Sequence, residues 1–365
     1  MKPTSAFYYI KQNKMRAGII IFMLVFTCAM YMAGSYIKSI VWYWEKAFEY
    51  DDKLVLVSAL SDDEDYVQYK SFIEEVKKDP KLTVFSRTAR GMGGLDWTCT
   101  FGWKMGTSTF VFNSPEDLKA AMARLGITGD FDNIKNHSVV MSSMYAKNKG
   151  LKLGDTISHD EISGQEGIDY TVDSIIEDDS FVLFMVHEDP ETPLRAYISS
   201  DEMEGEELRA YIDNIKGDAL VNTSEPMRQV LVAQLAPFTS MFIVGSILIS
   251  VILAVSAGSV ITGQYLKRKY EFAVYRAIGF SKRKVFGKCA AEILTMDAIA
   301  VGIAAVLLFT GMFLLNELVY IPKGQFLPYF SSIGLGCFLL SNLIVVLPMI
   351  IFRGRSMAKA DVTEF

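Results

Sequence analysis

The chain has 365 residues, 51% hydrophobic and 21% charged, with a mean hydropathy of +0.24 and a formal net charge of −6. Soluble domains rarely average above zero, so the composition argues against an ordinary soluble enzyme and directs attention to membrane segments. Cys28, Cys99, Cys289 and Cys337 form no disulfide framework and no CxxC zinc pair, and His137, His159 and His187 are too widely spaced to announce a metal cluster.

The first long apolar run is "AGIIIFMLVFTCAMYMAGSYI", Ala17 to Ile37, with no charge inside it. A helix needs about 20 apolar residues to cross a bilayer core, so this run qualifies as a span. It is too long for a signal-peptide apolar region. No small-residue cleavage site follows; the aromatic Trp42–Trp44 patch does, as at a membrane interface. Three further runs qualify: Pro237–Thr262, Ala290–Leu315 and Tyr329–Phe352.

Lysine and arginine in the short flanks set the orientation. Lys2, Lys11, Lys14 and Arg16 precede the first span, and Arg353, Arg355 and Lys359 follow the fourth. Between the second and third lie Lys267, Arg268, Lys269, Arg276, Lys282, Arg283, Lys284 and Lys288, whereas only Lys323 lies between the third and fourth. Both termini and the basic connector are therefore expected in the cytoplasm. The segment after the first span is expected outside. Residues 41–230 carry 36 acidic and 19 basic side chains, a net charge of 19 − 36 = −17.

That segment alternates strand and helix signals, which predicts an α+β domain. "KLVLVSAL" (53–60) and "KLTVFSRTA" (81–89) have strand patterns on either side of an amphipathic helix over 63–79 that Pro80 stops. In "NSPEDLKAAMARLG" (113–126), Ser114 is placed to cap a helix, with Pro115 in its first turn, Asp117 as capping-box partner and Gly126 as stop. "SVVMS" (138–142), "YTVDSIIE" (170–177) and "FVLFMVH" (181–187) are predicted strands. The stretch "RGMGGLDWTCTFGWKMG" (90–106) is expected to be a hairpin with Trp97, Phe101 and Trp103 in a core, rather than a ligand-gripping loop. The acidic run "SDDEDY" lacks the spacing and glycine of a calcium loop and suits a helix start. The apolar positions of "TSEPMRQVLVAQLAPF" (223–238) suit a helix that continues into the second span.

No GxxxxGK[ST], GxSxG or HExxH occurs, so the chain has no P-loop and none of these catalytic signatures. No catalytic, cofactor-binding or metal-binding residues are assigned. Within the spans, Glu292 and Asp297 are the notable acids. Glu292 is expected at the cytoplasmic interface, with Asp297 about one and a half turns deeper.

The connector "YEFAVYRAIGFSKRKVFGK" (270–288) has an order that topology alone does not require. The second span carries no stop signal and is expected to continue as helix as far as Gly279, which terminates it. Ser281 is a good N-cap for the helix running back into the third span. Phe272, Tyr275 and Ile278, at three-residue spacing, either pack the two arms together or form an apolar edge for another protein.

"KRKYEFAVYRAIGFSKRKVFGKCAAEIL" resembles the signature of the FtsX/MacB-type ABC transporter permeases: basic residues, Glu271, Arg276, Ala277, Ile278, Gly279, Ser281, Arg283 and later Glu292. "AFYYIKQNKMRAG" (6–18) resembles the family's cytoplasmic amphipathic helix, and "VVMSSMYAKNKGLKLGDTI" (139–157) its strand–helix–turn motif. "MAKADVTEF" (357–365) resembles its tail, with Val362 in place of a usual proline. The resemblance implies an α-helical membrane protein with four transmembrane helices plus an α+β extracytoplasmic domain between helices one and two. Its parts would be a cytoplasmic amphipathic helix (1–16), the first transmembrane helix (17–40), the extracytoplasmic domain (41–222), and a stalk with the second helix (223–264). A coupling hairpin (265–288), helices three and four (289–352) and a cytoplasmic tail (353–365) would follow.

It further implies a permease subunit in a bacterial cytoplasmic membrane, with no enzymatic activity of its own. It would work beside a P-loop ABC ATPase that binds ATP and magnesium. A second copy or a sister permease would complete it, with an extracytoplasmic adaptor, cargo or hydrolase and membrane lipid as further partners, and no nucleic acid. Glu271, Phe272, Tyr275, Arg276, Ile278, Gly279, Ser281 and Arg283 would form the ATPase-coupling element. Two functions stay open: work on peptide, antibiotic, lipid or lipoprotein cargo, or activation of a cell-wall hydrolase as in division-associated members. The size of the outside domain and "GLKLGDTI" favour the first. A receptor with no ATPase is a third reading.

Overall fold

The computed structural model describes residues 10–59, 64–88, 95–100, 102–106, 108–158, 161–162, 168–189, 194–217, 219, 221–225 and 227–359. His159, Phe101, the first nine residues and the 360–365 tail lie outside these. The chain divides into two compact units: Met1–Lys38, Ala236–Leu315 and Leu327–Phe365 form one, and Ser39–Leu235 with Asn316–Phe326 the other.

The first unit is helical. Its main elements are α1 (Lys14–Ala47), α6 (Met227–Leu266), α7 (Lys269–Ala277), α8 (Lys282–Leu315) and α9 (Ser332–Ala358), with α1 and α6 each entering the second unit at one end. Among the described residues four helices are long and apolar enough to cross a membrane, with mean hydropathy of 2.1 to 2.5 over their most apolar windows. Ile37 does not end the first helix, which runs to Ala47, and the third begins at Lys282, well before Ala290. Helical hydrogen bonding persists past the apolar stretch because no proline interrupts it at either place, and Gly287 is absorbed within the third helix.

Small and polar residues join these helices. A Cβ built on Gly34 would fall 2.2 Å from the Cα of Gly334, and one on Gly334 would fall 2.6 Å from the Tyr31 carbonyl oxygen. That close backbone approach is tied by Ser331 Oγ donating to the Gly34 carbonyl at 3.0 Å and Tyr31 OH donating to the Tyr329 carbonyl at 2.8 Å. Small residues at helix interfaces permit such contact in lipid, where apolar side chains alone give little drive to associate. Ser250 and Ser341 share a hydrogen bond of 2.5 Å, and Asn342 Nδ2 donates to Asp297 at 2.9 Å.

The second unit is a nine-stranded mixed sheet. In chain order its strands are β1 (Val55–Ala59), β2 (Leu82–Arg87), β5 (Thr109–Phe112), β6 (Ser138–Ser142), β7 (Thr156–Ile157), β8 (Tyr170–Ile176), β9 (Leu183–Val186), β10 (Arg195–Ser200) and β11 (Val221–Thr223). They lie in the order β11-β1-β10-β2-β5-β9-β6-β8-β7, and a separate hairpin pairs β3 (Trp97–Thr98) with β4 (Lys104–Met105). Pairs β5–β9 and β6–β8 are parallel; the other neighbours are antiparallel.

Alternation along the central strands serves two cores, as the two-residue period of a strand requires. Phe184 and Val186 of β9 join Phe110, Phe112 and the buried side of α3 (Pro115–Arg124), while Leu183 and Met185 face Trp97, Tyr145 and Phe181. A third cluster seats α2 (Glu64–Val76) and α5 (Gly205–Lys216) on β1 and β10, and α4 (Ser143–Lys149) follows β6 directly.

Ser114 caps α3 by accepting from Asp117 N, Pro115 opens it and Gly126 follows at φ +68°. The Asp117 carboxylate accepts from Ser86 N of β2 at 3.2 Å, so it fastens the helix to the sheet. The hairpin forms as expected with Trp97 fully buried, but Trp103 is 57% exposed and fills no core. Gly102, at φ +78°, donates its N–H to the Cys99 carbonyl at 2.8 Å, and Trp103 follows that turn with its ring outward. Strands β5, β10 and β11 and helix α5 carry no expectation from the sequence.

Asn316–Phe326, between α8 and α9, also belongs to this unit. Gln325 Nε2 donates to the carbonyls of Thr98 (2.9 Å) and Cys99 (3.1 Å), and Phe326 N donates to Tyr43 OH at 2.8 Å. Asn148 Nδ2 donates to the Thr98 carbonyl at 2.8 Å and the Gly324 carbonyl at 3.3 Å. Gly324 sits at φ +58°, and an added Cβ would meet Met144 O at 2.2 Å. The segment is a fastened part of the α/β unit.

Candidate functional site: the connector between the second and third long helices

The connector is built from three local devices. The first is a break after Leu266. The helix expected to run unbroken to Gly279 stops there, and α7 starts anew at Lys269 behind Arg268, at φ −104° and ψ 2°. Arg268 turns inward and is 7% exposed. Its Nε donates to Glu271 Oε2 at 2.8 Å, its Nη1 to Glu292 Oε2 at 2.7 Å, and its Nη2 to Glu271 Oε1 at 3.1 Å and Glu292 Oε1 at 3.3 Å. The guanidinium carbon lies 4.9 Å from the Phe272 ring centroid and 5.4 Å from that of Tyr265. Tyr265 OH adds a bond to Glu292 at 3.1 Å, and Lys288 Nζ stands 3.4 Å from the same carboxylate.

Burial opposes charge on both Arg268 and Glu271, yet their mutual hydrogen bonds win, raising Arg268 and holding Glu271 below the usual carboxylate range. Fork-on-fork pairing of this kind is available to arginine and not to lysine.

The second device ends α7. Gly279, at φ +97°, donates its N–H to the Arg276 carbonyl at 3.1 Å, and Phe280 N donates to the Tyr275 carbonyl at 3.0 Å. Those two bonds, with the left-handed residue between them, are a Schellman motif, and the apolar contact that accompanies it is present as Tyr275 and Phe280, 5.4 Å apart. Arg276 Nη1 adds a bond to the Phe280 carbonyl at 3.3 Å. The third device starts α8: Ser281 Oγ accepts from Lys284 N at 3.3 Å.

The expected coupling residues therefore separate into two sets. Phe272 is sealed, Tyr275 and Arg276 are half-buried, and Glu271 is committed to Arg268, so these build the hairpin. Ile278 is 67% exposed, and Gly279, Ser281 and Arg283 are also exposed, so these form its outer tip with Lys282 and Lys284. The Phe272, Tyr275 and Ile278 edge is not one surface.

Glu292 is fully buried as the anchor of Arg268, while Asp297 is tied to Asn342. Sequence reasoning missed the role of Arg268, although its three-residue spacing from Glu271 was a signal.

Two other side-chain constellations lie in the α/β unit. Carboxylate oxygens of Glu49, Asp178 and Asp179 lie within 4.8 Å of one another, but Lys46 Nζ stands 3.0 Å from Glu49 and 2.5 Å from Asp179, so an ammonium already meets that charge. His137 and His187 approach to 5.5 Å between ring centroids, and Tyr170 OH lies 2.9 Å from His187 Nδ1.

Residues 240–358 match a family model described as FtsX-like permease C-terminal. That segment contains the connector, α8 and α9. No curated protein matches the chain. Among solved structures, the periplasmic region of MacB from Actinobacillus actinomycetemcomitans is similar at 10% identity and a TM-score of 0.27, over 50% of this chain and 92% of that one.

Proposed function

We propose that this chain, whose residues 240–358 match the FtsX-like permease C-terminal model, is the membrane subunit of an ABC transporter of the FtsX/MacB type that receives force from a separate cytoplasmic ATPase through the 265–288 connector. In this reading both termini and the connector lie in the cytoplasm of a bacterial cell, and the α/β unit lies outside. Two copies, or this chain and a sister permease, complete the assembly.

The observation that carries the proposal is the division of labour within the connector. Its inner residues are clasped to α8 through Arg268 and Glu292, so a push on the tip reaches a membrane helix without loss in a loose loop. Its outer tip offers Ile278 between exposed cations, an apolar anchor with a charged rim. Cargo outside the membrane is the reading favoured over hydrolase activation, on the strength of "GLKLGDTI" and the size of the α/β unit.

The test is purification of the full chain from native membranes in mild detergent, with bound proteins identified by mass spectrometry. A P-loop ATPase is expected with the wild type and is expected to be lost with Ile278→Asp. Absence of any such ATPase, or equal recovery with Ile278→Asp, overturns the reading. Gene deletion separates the two outcomes outside the cell: chained or misshapen cells without altered sensitivity to peptides or antibiotics would sink the cargo role.

A further inference from the structure

Strands β2 and β10 place Arg87 and Arg195 directly opposite one another. Like charges in that position repel. Burial and the Arg87 charge both push Arg195 below its ordinary range. Among the described residues neither guanidinium has an ion-pair partner, and Arg87 Nε is buried with no hydrogen bond. Both side chains share the sheet face of Tyr197, whose ring centroid lies 5.6 Å from the Arg87 guanidinium.

Arg87 lines a cavity of about 160 Å³ with Thr109, Phe110, Tyr197 and Asp51, and Glu225 stands exposed at its rim. Thr109 Oγ1 is buried there without a partner. Tyr197 OH is engaged by Val111 N at 3.0 Å.

Asp51 accepts from Ser108 Oγ at 2.8 Å. Burial pushes its carboxyl up to about 7, and the Asp52 charge adds to the rise, with Ser108 and Arg209 opposing. Arg209 is spent elsewhere: Nη1 donates to Asp52 Oδ1, Nη2 to the Asp51 carbonyl and Nε to the Ser224 carbonyl. Among the described residues, Arg87 and Asp51 line one small cavity and form an ion pair neither with each other nor with another side chain, Arg209 acting on Asp51 through its charge and Glu225 standing at the rim.

A ligand with both charges on one small body satisfies both groups. We propose that this cavity binds a free α-amino acid, with its carboxylate on the Arg87 guanidinium, its ammonium on the Asp51 carboxylate, and its side chain against Phe110 and Tyr197. A peptide terminus has only one of the two charges, and the cavity is too small for a longer chain with both ends inside. The inference stands apart from ATP coupling.

Isothermal titration of the full chain in detergent at pH 7.5 tests it with L-leucine, L-phenylalanine, N-acetyl-L-leucine and L-leucine amide. The two amino acids are expected to bind, and each blocked form to bind at least about tenfold more weakly, since each loses one charge-assisted contact. Arg87→Gln is expected to weaken leucine by a similar factor while leaving the amide unchanged, and Asp51→Asn to weaken leucine while leaving the N-acetyl form unchanged. Equal affinity for all four compounds, no heat with any at millimolar concentration, or wild-type leucine affinity in Arg87→Gln overturns the proposal. If a variant does not fold, as judged by circular dichroism, the four compounds on the wild-type chain decide it alone.

Discussion

Arg268 Nη1 lies 2.7 Å from Glu292 Oε2, and neither residue reaches solvent to any extent, at 7% and 0% exposed. Removing one partner of a buried pair leaves a charge the protein cannot solvate, at a cost of about 3–5 kcal/mol. The two ends are not equivalent. Loss of Arg268 leaves Glu292 with Lys288 and the Tyr265 hydroxyl, whereas loss of the carboxylate takes from both Arg268 and Lys288 the anion they share, with Glu271 as the other carboxylate on Arg268. Glu292→Gln is therefore expected to destabilise the helical unit more than Arg268→Gln. Denaturation in mixed micelles, run as a double-mutant cycle, measures both and their coupling.

The approach of Gly34 to Gly334 makes a sharper test of packing. At either position an alanine Cβ would collide with backbone, which cannot move aside as a side chain can. Gly34→Ala and Gly334→Ala are each expected to cost about 1–3 kcal/mol or more. Gly311 and Gly336 lie in α8 and α9 with nothing within 4 Å of an added Cβ. Alanine there is expected to be neutral or to stabilise by up to about 1 kcal/mol through helix propensity. Thermal melts of the four variants in one detergent check the contrast.

The contrast between Gly279 and Arg268 explains what was legible beforehand. Gly279, Phe280 and Ser281 act through bonds to residues within five positions, so their order in the sequence announces a helix end and a helix start. Arg268 acts through a carboxylate 24 positions away and sits between Lys267 and Lys269, which share its charge, so composition hides it. The spans were legible because twenty apolar residues have few other uses. Strands such as β6 and β8 were legible by their apolar content, whereas the strand order was not, since β10 lies between β1 and β2 through pairings over a hundred residues long. Trp103 was misread for a related reason. An aromatic in a glycine-rich hairpin has two faces to choose from, and only the turn geometry decides.

Gln325 fastens the segment between α8 and α9 within the α/β unit by donating both amide hydrogens to the Thr98 and Cys99 carbonyls. Gln325→Ala leaves these acceptors in a buried place without that donor, at a cost of about 1–3 kcal/mol. Faster amide exchange over residues 316–326 is expected, with the central strands β6 and β9 unchanged. Uniform loss of protection across the sheet would show that the segment supports the whole unit instead.

Asp51 gives the α/β unit a pH dependence of definite sign. Its carboxyl is raised from an ordinary 3.8 to about 7, chiefly by burial, so the folded unit prefers it protonated. The stabilisation this provides is fully present below the ordinary value and is lost as pH rises through 7. After burial, the groups that act on it are Ser108, Asp52 and Arg209, of which Asp52 strengthens the effect and the others reduce it, while Arg87 and Glu225 line the same cavity. Unfolding of the wild type is accordingly expected to become easier by on the order of 2–4 kcal/mol between pH 4 and pH 8 from this group. Asp51→Asn keeps the shape and removes the titration, so its melting temperature is expected to vary less over the same interval and to exceed that of the wild type at pH 8. Parallel pH profiles for the two proteins would show that Asp51 keeps an ordinary carboxyl in the folded unit.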